Sequence, residues 1–167
     1  MQKINFFDNS YCLEGSRLQV EFGVYDPGNN QPAFTTLERE LFQATVLNPN
    51  SHPLQFVPID HNITILRDNG EMGNICDGMI YHDSEFLSFV ELKDKMSGWV
   101  REAVGQLRTT IKHFEINHNN STIKRRYAYA VNSRHPRFHC SYKETIQRFR
   151  KDTQFNLRFG TIIKVDY

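Results

Sequence analysis

Cysteine is scarce in this sequence. There are three in 167 residues, Cys12, Cys76 and Cys140, far apart and odd in number. They make neither a disulfide framework nor the paired spacing of a zinc site, so a reducing, cytoplasmic setting is expected. Long apolar runs are missing as well, and nothing approaches the ~18 residues of a membrane-spanning helix. The stretch from Met1 to Asp8 lacks the apolar region of a secretory signal. Internal repeats, low-complexity tracts and linker-like segments are absent, which leaves one domain over residues 1–167 as the expectation for this length. Excess charge is missing too, with a formal net charge of +1.

Aromatic residues make up 13% and charged residues 23%, which suits a folded chain with a substantial core. The small net charge hides a division. Residues 1–92 hold four Lys or Arg against thirteen Asp or Glu, whereas residues 93–167 hold sixteen against six. Such asymmetry suits a protein whose later elements face phosphates. Attraction between the two halves across the fold accounts for it as well.

The stretch from Ile75 to Lys95 organises the chain. It reads as two strands joined by the turn His82-Asp83-Ser84-Glu85, with Asp77 at the head of the first and Glu91 and Lys93 near the end of the second. Side chains two apart on a strand share a face, so Glu91 and Lys93 emerge side by side behind Leu87 and Phe89, while Ser88, Val90 and Leu92 point the other way. Both faces are largely apolar, as in a strand buried within a sheet. A buried strand ending in Glu and Lys must satisfy both charges by pairing, hydrogen bonding or a metal.

Upstream, Leu18 to Tyr25 alternates weakly as a strand and ends at the turn Asp26 to Asn30. A helix is expected from about Thr36 to Leu47. Thr35 and Glu38 have the form of a capping box, and Leu37, Leu41 and Ala44 mark a buried stripe. Glu40 falls inside that stripe and Glu38 outside it. Extended segments follow at 56–58 and 63–66, and Asp68-Asn69-Gly70 signals a tight turn. His52 and His61 read as surface loop residues.

After Lys93 comes the clearest helix of the sequence, with Ser97 as N-cap. Its apolar stripe is Val100, Ala103, Val104, Leu107, Ile111 and Phe114. Arg101, Arg108 and Lys112 share one flank; Trp99, Gln106 and Thr110 lie on the other. Lys124, Arg125 and Arg126 open a strand at 127–131. A further helix begins at the capping-box form Ser141 to Glu144, and 155–165 reads as a last strand or a hairpin turning at Gly160. His113, His118, His135 and His139 lack the spacing and local hairpin of a His-Asn-His nuclease site.

Asp77-Gly78, followed after a hairpin by Glu91-Leu92-Lys93, resembles the signature of the PD-(D/E)XK nuclease superfamily, with Cys76 where the leading Pro would stand. The helix segment Ala103-Val104-Gly105-Gln106-Leu107 is similar to that of members with a glutamine near the site, although Thr110 occupies the position of their tyrosine. The resemblance covers roughly residues 35–131. It implies an α/β three-layer restriction-endonuclease-like core, a mixed sheet flanked by helices. It also implies a Mg²⁺-dependent nuclease, with Mn²⁺ able to substitute, for which DNA stands ahead of RNA as the expected substrate and endonuclease ahead of exonuclease as the expected mode.

On this resemblance Asp77, Glu91 and the Leu92 carbonyl hold the metal, Lys93 serves the attacking water and Gln106 supports the site. Many members add an acid from the preceding helix, for which Glu40 is the first candidate and Glu38 the second. An edge glutamate paired with Arg39 or a later arginine accounts for Glu40 equally well. The chemistry is coherent, since Mg²⁺ prefers oxygen ligands and polarises phosphodiesters, while a nearby Lys steadies developing negative charge. Arg101, Arg108, Lys112, Lys124, Arg125 and Arg126 are the candidate nucleic-acid contacts. The pattern leaves room for a homodimer. Two competing readings are a catalytically silent nuclease-fold module that binds nucleic acid or a partner protein, and an unrelated α/β protein with a surface ion pair.

Overall fold

The computed structural model describes residues 3–134 and 141–167. In chain order its elements are β1 (Glu21–Tyr25), β2 (Phe34–Thr36), β3 (Ala44–Leu47), β4 (Gln55–Pro58), β5 (Gly78–His82), β6 (Phe86–Lys93), α1 (Trp99–Asn117), β7 (Arg125–Asn132), α2 (Lys143–Thr153), β8 (Asn156–Phe159) and β9 (Ile162–Lys164). The strands form two mixed sheets, of order β2-β1-β3-β9 and β4-β5-β6-β7-β8.

The larger sheet is built on the hairpin legible in the sequence. β5 and β6 pair antiparallel from Gly78↔Val90 to His82↔Phe86. The turn closes with Glu85 N–H donating to the His82 carbonyl at 3.0 Å. From β6 the chain returns through α1 to β7, which runs parallel to β6 in the register Phe86↔Arg125 to Lys93↔Asn132. Parallel neighbours need such a crossover, and the helix covers one sheet face.

The alternation along β6 sorts the core into two layers. Leu87 and Phe89 join Met79, Ala128, Ala130 and Leu157 beneath Leu107, Ile111 and Phe114 of α1 and Phe149 of α2. Val90 and Leu92 face the opposite way, onto Phe22, Val24, Val46 and Ile163 of the smaller sheet. The molecule is therefore a mixed α/β fold of three layers. Among the described residues, however, helices cover only one face of the larger sheet; on the other, where the resemblance implies flanking helices, the second sheet lies instead.

The expected helix at 36–47 does not form. Its place is taken by the end of β2, a 3-10 turn at Arg39–Leu41, and β3. Thr35 is occupied by the Glu14 carboxylate, which accepts from its amide and hydroxyl, and by Arg17, whose Nε donates to its Oγ1 at 2.7 Å. The Thr36 hydroxyl accepts from Glu38 N–H at 3.1 Å, a threonine turn that mimics a capping box over two residues. Burial from 44 to 47 alternates with the period of a strand, and β3 pairs with β1.

The end of the chain also departs from expectation. β8 and β9 are not a hairpin: β8 lies parallel to β7, and β9 lies parallel to β3 in the other sheet. Gly160, at φ +144°, marks the crossing, a conformation reserved almost entirely for glycine. The N-caps shift by one residue: Gly98 precedes α1 in place of Ser97, and Tyr142 precedes α2 in place of Ser141. His135, His139 and Cys140 lie outside the described residues. Among the described residues no helix is long and apolar enough to cross a membrane.

Candidate active site

The site gathers where β5 begins and β6 ends, at the edge against α1. Extending the β5–β6 register by one residue sets Asp77 opposite Glu91. Directly opposed residues share a face, here the one under α1. Gly78, just after Asp77, permits a close approach, since a Cβ there would stand 2.5 Å from the Phe56 ring and 3.1 Å from the Val57 carbonyl. Asp77 is anchored by its carboxylate, whose Oδ2 accepts from the Leu92 amide at 2.6 Å.

Lys93 lies at the centre of a polar cluster. Its ammonium reaches Glu91 Oε1 at 2.8 Å, Glu102 Oε1 at 2.8 Å and Gln106 Oε1 at 2.5 Å. These three acceptors match the three N–H donors of an ammonium. Glu102 also holds Lys95 at 2.5 Å, nearer the surface. Exposure grows outward, from 2% of the Glu91 side chain and 9% of Lys93 to 50% of Lys95.

Burial sets the protonation chemistry. It pushes the Asp77 carboxyl up to about 7, against the Leu92 hydrogen bond, and the Asp26 and Asp60 carboxylates push the same way. Burial, followed by the Asp77 charge, raises Glu91 well above the carboxylate range, with Lys93 opposing. For Lys93 burial is the largest influence and acts downward, but Glu91 and Glu102 outweigh it and raise the pKa. Glu91 Oε2 is buried and makes no hydrogen bond.

α1 fastens the segment before Asp77. Gln106 Nε2 donates to the Ile75 carbonyl at 3.0 Å, and the Thr110 hydroxyl accepts from the Cys76 amide at 2.8 Å. Asn132, fully buried at the end of β7, holds the loop after Lys93 by donating to the Lys95 carbonyl at 2.8 Å and accepting from its amide at 3.3 Å.

Asp77, Glu91, Lys93 and Gln106 thus come together. Glu40 does not join them. It is exposed on the 3-10 turn that packs on β1, and the reason for singling it out, a charge in a helical stripe, disappears with the helix. Arg39 pairs with Glu21 at 2.7 Å. Among the described residues no three His, Cys, Asp or Glu are grouped so as to hold a metal ion. Any cation here would rest on Asp77 and Glu91 and otherwise on water and substrate, the usual habit of Mg²⁺.

The basic candidates divide. Arg101 and Arg108 lie on α1 beside the site. Lys124, Arg125 and Arg126 sit at the far end of β7, about 23 Å along the strand from Asn132 at ~3.3 Å per residue. Lys124 and Arg125 are engaged by Glu85 at 2.5 and 3.5 Å, and Arg126 donates to the Asn120 carbonyl. Lys112 is exposed further along α1. His52, read as a surface residue, stacks on Tyr167 with ring centroids 4.3 Å apart.

Sequence reasoning passed over Glu102, Thr110 as an anchor, and Asn132. Glu102 was discoverable, being one helical turn before Gln106 on the same face. Asp26 and Asp60 arrive from remote loops and leave no local signal. No protein-family model, curated protein or solved structure significantly matches the chain. Its class is accordingly defined by its own architecture, a mixed α/β protein with a buried carboxylate–lysine cluster at the ends of two interior strands of its larger sheet.

Proposed function

We propose that the chain is a metal-dependent nuclease that hydrolyses phosphodiester bonds of nucleic acid, DNA in the first place, on a restriction-endonuclease-like core. The observation that carries this reading is the Glu91 carboxylate. One oxygen meets Lys93 and the Asp77 amide helps to hold the carboxylate charge, while Oε2 is buried and makes no hydrogen bond. A buried carboxylate oxygen without a partner is costly, and a divalent cation would satisfy it. The donors are hard oxygens, so Asp77 and Glu91 fit Mg²⁺ or Mn²⁺, with the Leu92 carbonyl next to Glu91 in sequence. A cation bound there supplies polarisation of the phosphodiester and a water of lowered pKa.

The remaining work belongs to the chain. The Leu92 amide orients the Asp77 carboxylate. Lys93, kept charged by Glu91 and Glu102, offsets negative charge that develops on the phosphate. Gln106 positions both Lys93 and the Ile75 carbonyl, coupling α1 to the strand that carries Asp77.

A catalytically silent module of the same fold is favoured by one observation, the saturation of Lys93 by three acceptors. The test is a cleavage assay with Mg²⁺, Mn²⁺ or EDTA on single-stranded, duplex, junction and flap DNA and on RNA. The nuclease reading expects cutting with either cation and none in EDTA, slowed about 100-fold or more by Lys93→Ala. No cutting of any substrate with either cation selects the silent module.

A further inference from the structure

A cleft of about 820 Å³ lies between α1 and α2. Arg101, Gly105 and Arg108 line it from α1, Tyr142 and Arg148 from α2, and Trp99 stands at its end. Glu102 and Gln106 reach Lys93, and their chain neighbours Arg101 and Gly105 face the cleft. Cleft and site therefore take opposite flanks of α1, on either side of its exposed face.

The charges are suggestive in detail. Three guanidinium groups line the cleft against one carboxylate, Glu144. Arg108 is held by Asp152 at 3.5 Å and lies over the Phe149 ring. Arg101 and Arg148 are exposed and have no partner among the described residues. The first turns of α1 and α2 border the cleft, and neither has a side-chain cap, so their dipoles add positive potential.

Gly105 is the second, independent observation. It stands in the middle of a 19-residue helix, where glycine costs about 1 kcal/mol relative to alanine. A Cβ at this position would meet nothing within 4 Å, so no internal contact requires glycine. The residue makes sense where a ligand backbone passes close to the helix.

We infer that this cleft holds a single strand of nucleic acid, its phosphates on Arg101 and Arg148 and its backbone crossing Gly105, across the exposed face of α1 from the site where the strand is cut. The inference rests on the nuclease reading above for the cutting, but not for the binding. The volume falls in the range of ligand pockets, about 300–1,000 Å³. A positively charged groove that tracks the backbone is a usual means of gripping single strands without reading sequence.

The test uses fluorescence anisotropy in EDTA, so that binding is read without cleavage, with a labelled oligo-thymidine of about 12 nucleotides and a duplex of the same length. Wild type should bind the single strand more tightly than the duplex. Arg101→Ala/Arg148→Ala should weaken single-strand binding at least tenfold and reduce the slope of log K against log salt by about 1.4. Gly105→Ala should raise the Tm and still weaken binding at least threefold, a combination that a structural role for this glycine does not produce. Arg39→Ala/Lys164→Ala, both exposed on the smaller-sheet side of the molecule, away from the helices, should leave binding unchanged. Binding unaltered by the Arg101/Arg148 pair, an equal loss in the Arg39/Lys164 pair, or tighter duplex binding overturns the inference. Cleft-dependent binding with no cleavage in Mg²⁺ or Mn²⁺ removes the nuclease reading and leaves the cleft standing.

Discussion

Asp77 is the residue at which folding and chemistry pull against each other. With its carboxyl pushed up to about 7 from an ordinary 3.8, the folded chain holds this proton more tightly than the unfolded chain does. The contribution to stability is full below about 3.8 and is lost as the pH rises through about 7. At pH 8 the ionised, buried Asp77 is a net cost. Asp77→Asn keeps an oxygen for the Leu92 amide and removes the charge. In EDTA at pH 8 it should be more stable than wild type by roughly 1–3 kcal/mol, a gap that closes toward pH 5, and it should not cut. Thermal unfolding at several pH values reads the first effect. An unchanged Tm at pH 8 would mean that the carboxylate is already satisfied, removing its claim on a cation. Lys93→Ala should act in the opposite sense, because it leaves Glu91 buried without its cation. A loss of about 3 kcal/mol at neutral pH is expected, partly recovered in mild acid as Glu91 takes up a proton.

Between elements, the critical join is α1 against the segment leading into β5. Thr110→Val preserves shape and deletes the acceptor for the buried Cys76 amide, so a loss of about 1–3 kcal/mol is expected. If the join positions Asp77, cleavage should fall more than substrate binding; equal losses would make Thr110 purely structural. These same elements were the legible ones. The hairpin of β5 and β6 declared itself by alternation and by its terminal charges, and α1 by an apolar stripe from Val100 to Phe114. The smaller sheet was hidden, because its strands run only three to five residues and depend on partners distant in sequence. Thr35 and Thr36 carried a capping pattern whose hydroxyls are used for other bonds, and helical spacing at Leu37, Leu41 and Ala44 was coincidence. β8 and β9 looked like one hairpin since nothing local reveals that neighbours across Gly160 enter different sheets. The candidate site was readable as far as Asp77, Glu91, Lys93 and Gln106, which lie on legible elements. Glu40 failed with the helix that justified it.

At the scale of the molecule, the helix layer is closed by the amino-terminal segment, which crosses the far end of α1 from the site. Ile4 and Phe6 are buried there. The Ile4 amide donates to Asn117 Oδ1 at 2.9 Å, and the Phe6 amide to His118 Nε2 at 3.1 Å. The His118 ring stacks on Phe114 at 4.6 Å and lies edge-on to Phe6 and Phe7. Accepting from Phe6 requires His118 Nε2 to be unprotonated, and burial holds its pKa below the ordinary 6.5. The folded chain thus binds this proton less readily than the unfolded chain. Its contribution is fully present above about 6.5 and is lost as the pH falls through the folded value. Protonation also replaces the acceptor with a second donor, breaking the bond to Phe6. His118→Gln supplies an oxygen acceptor that does not titrate. Between about pH 6.5 and 5 the Tm of wild type should therefore fall more steeply than that of the variant. Some slope should persist in His118→Gln, because burial also lowers the pKa of His113. Amide exchange at Phe6 locates the effect: exchange in wild type should accelerate over this interval beyond any change in the variant. Identical pH profiles for the two proteins would mean that the segment is held by the packing of Ile4 and Phe6 alone, with His118 adding nothing that titrates.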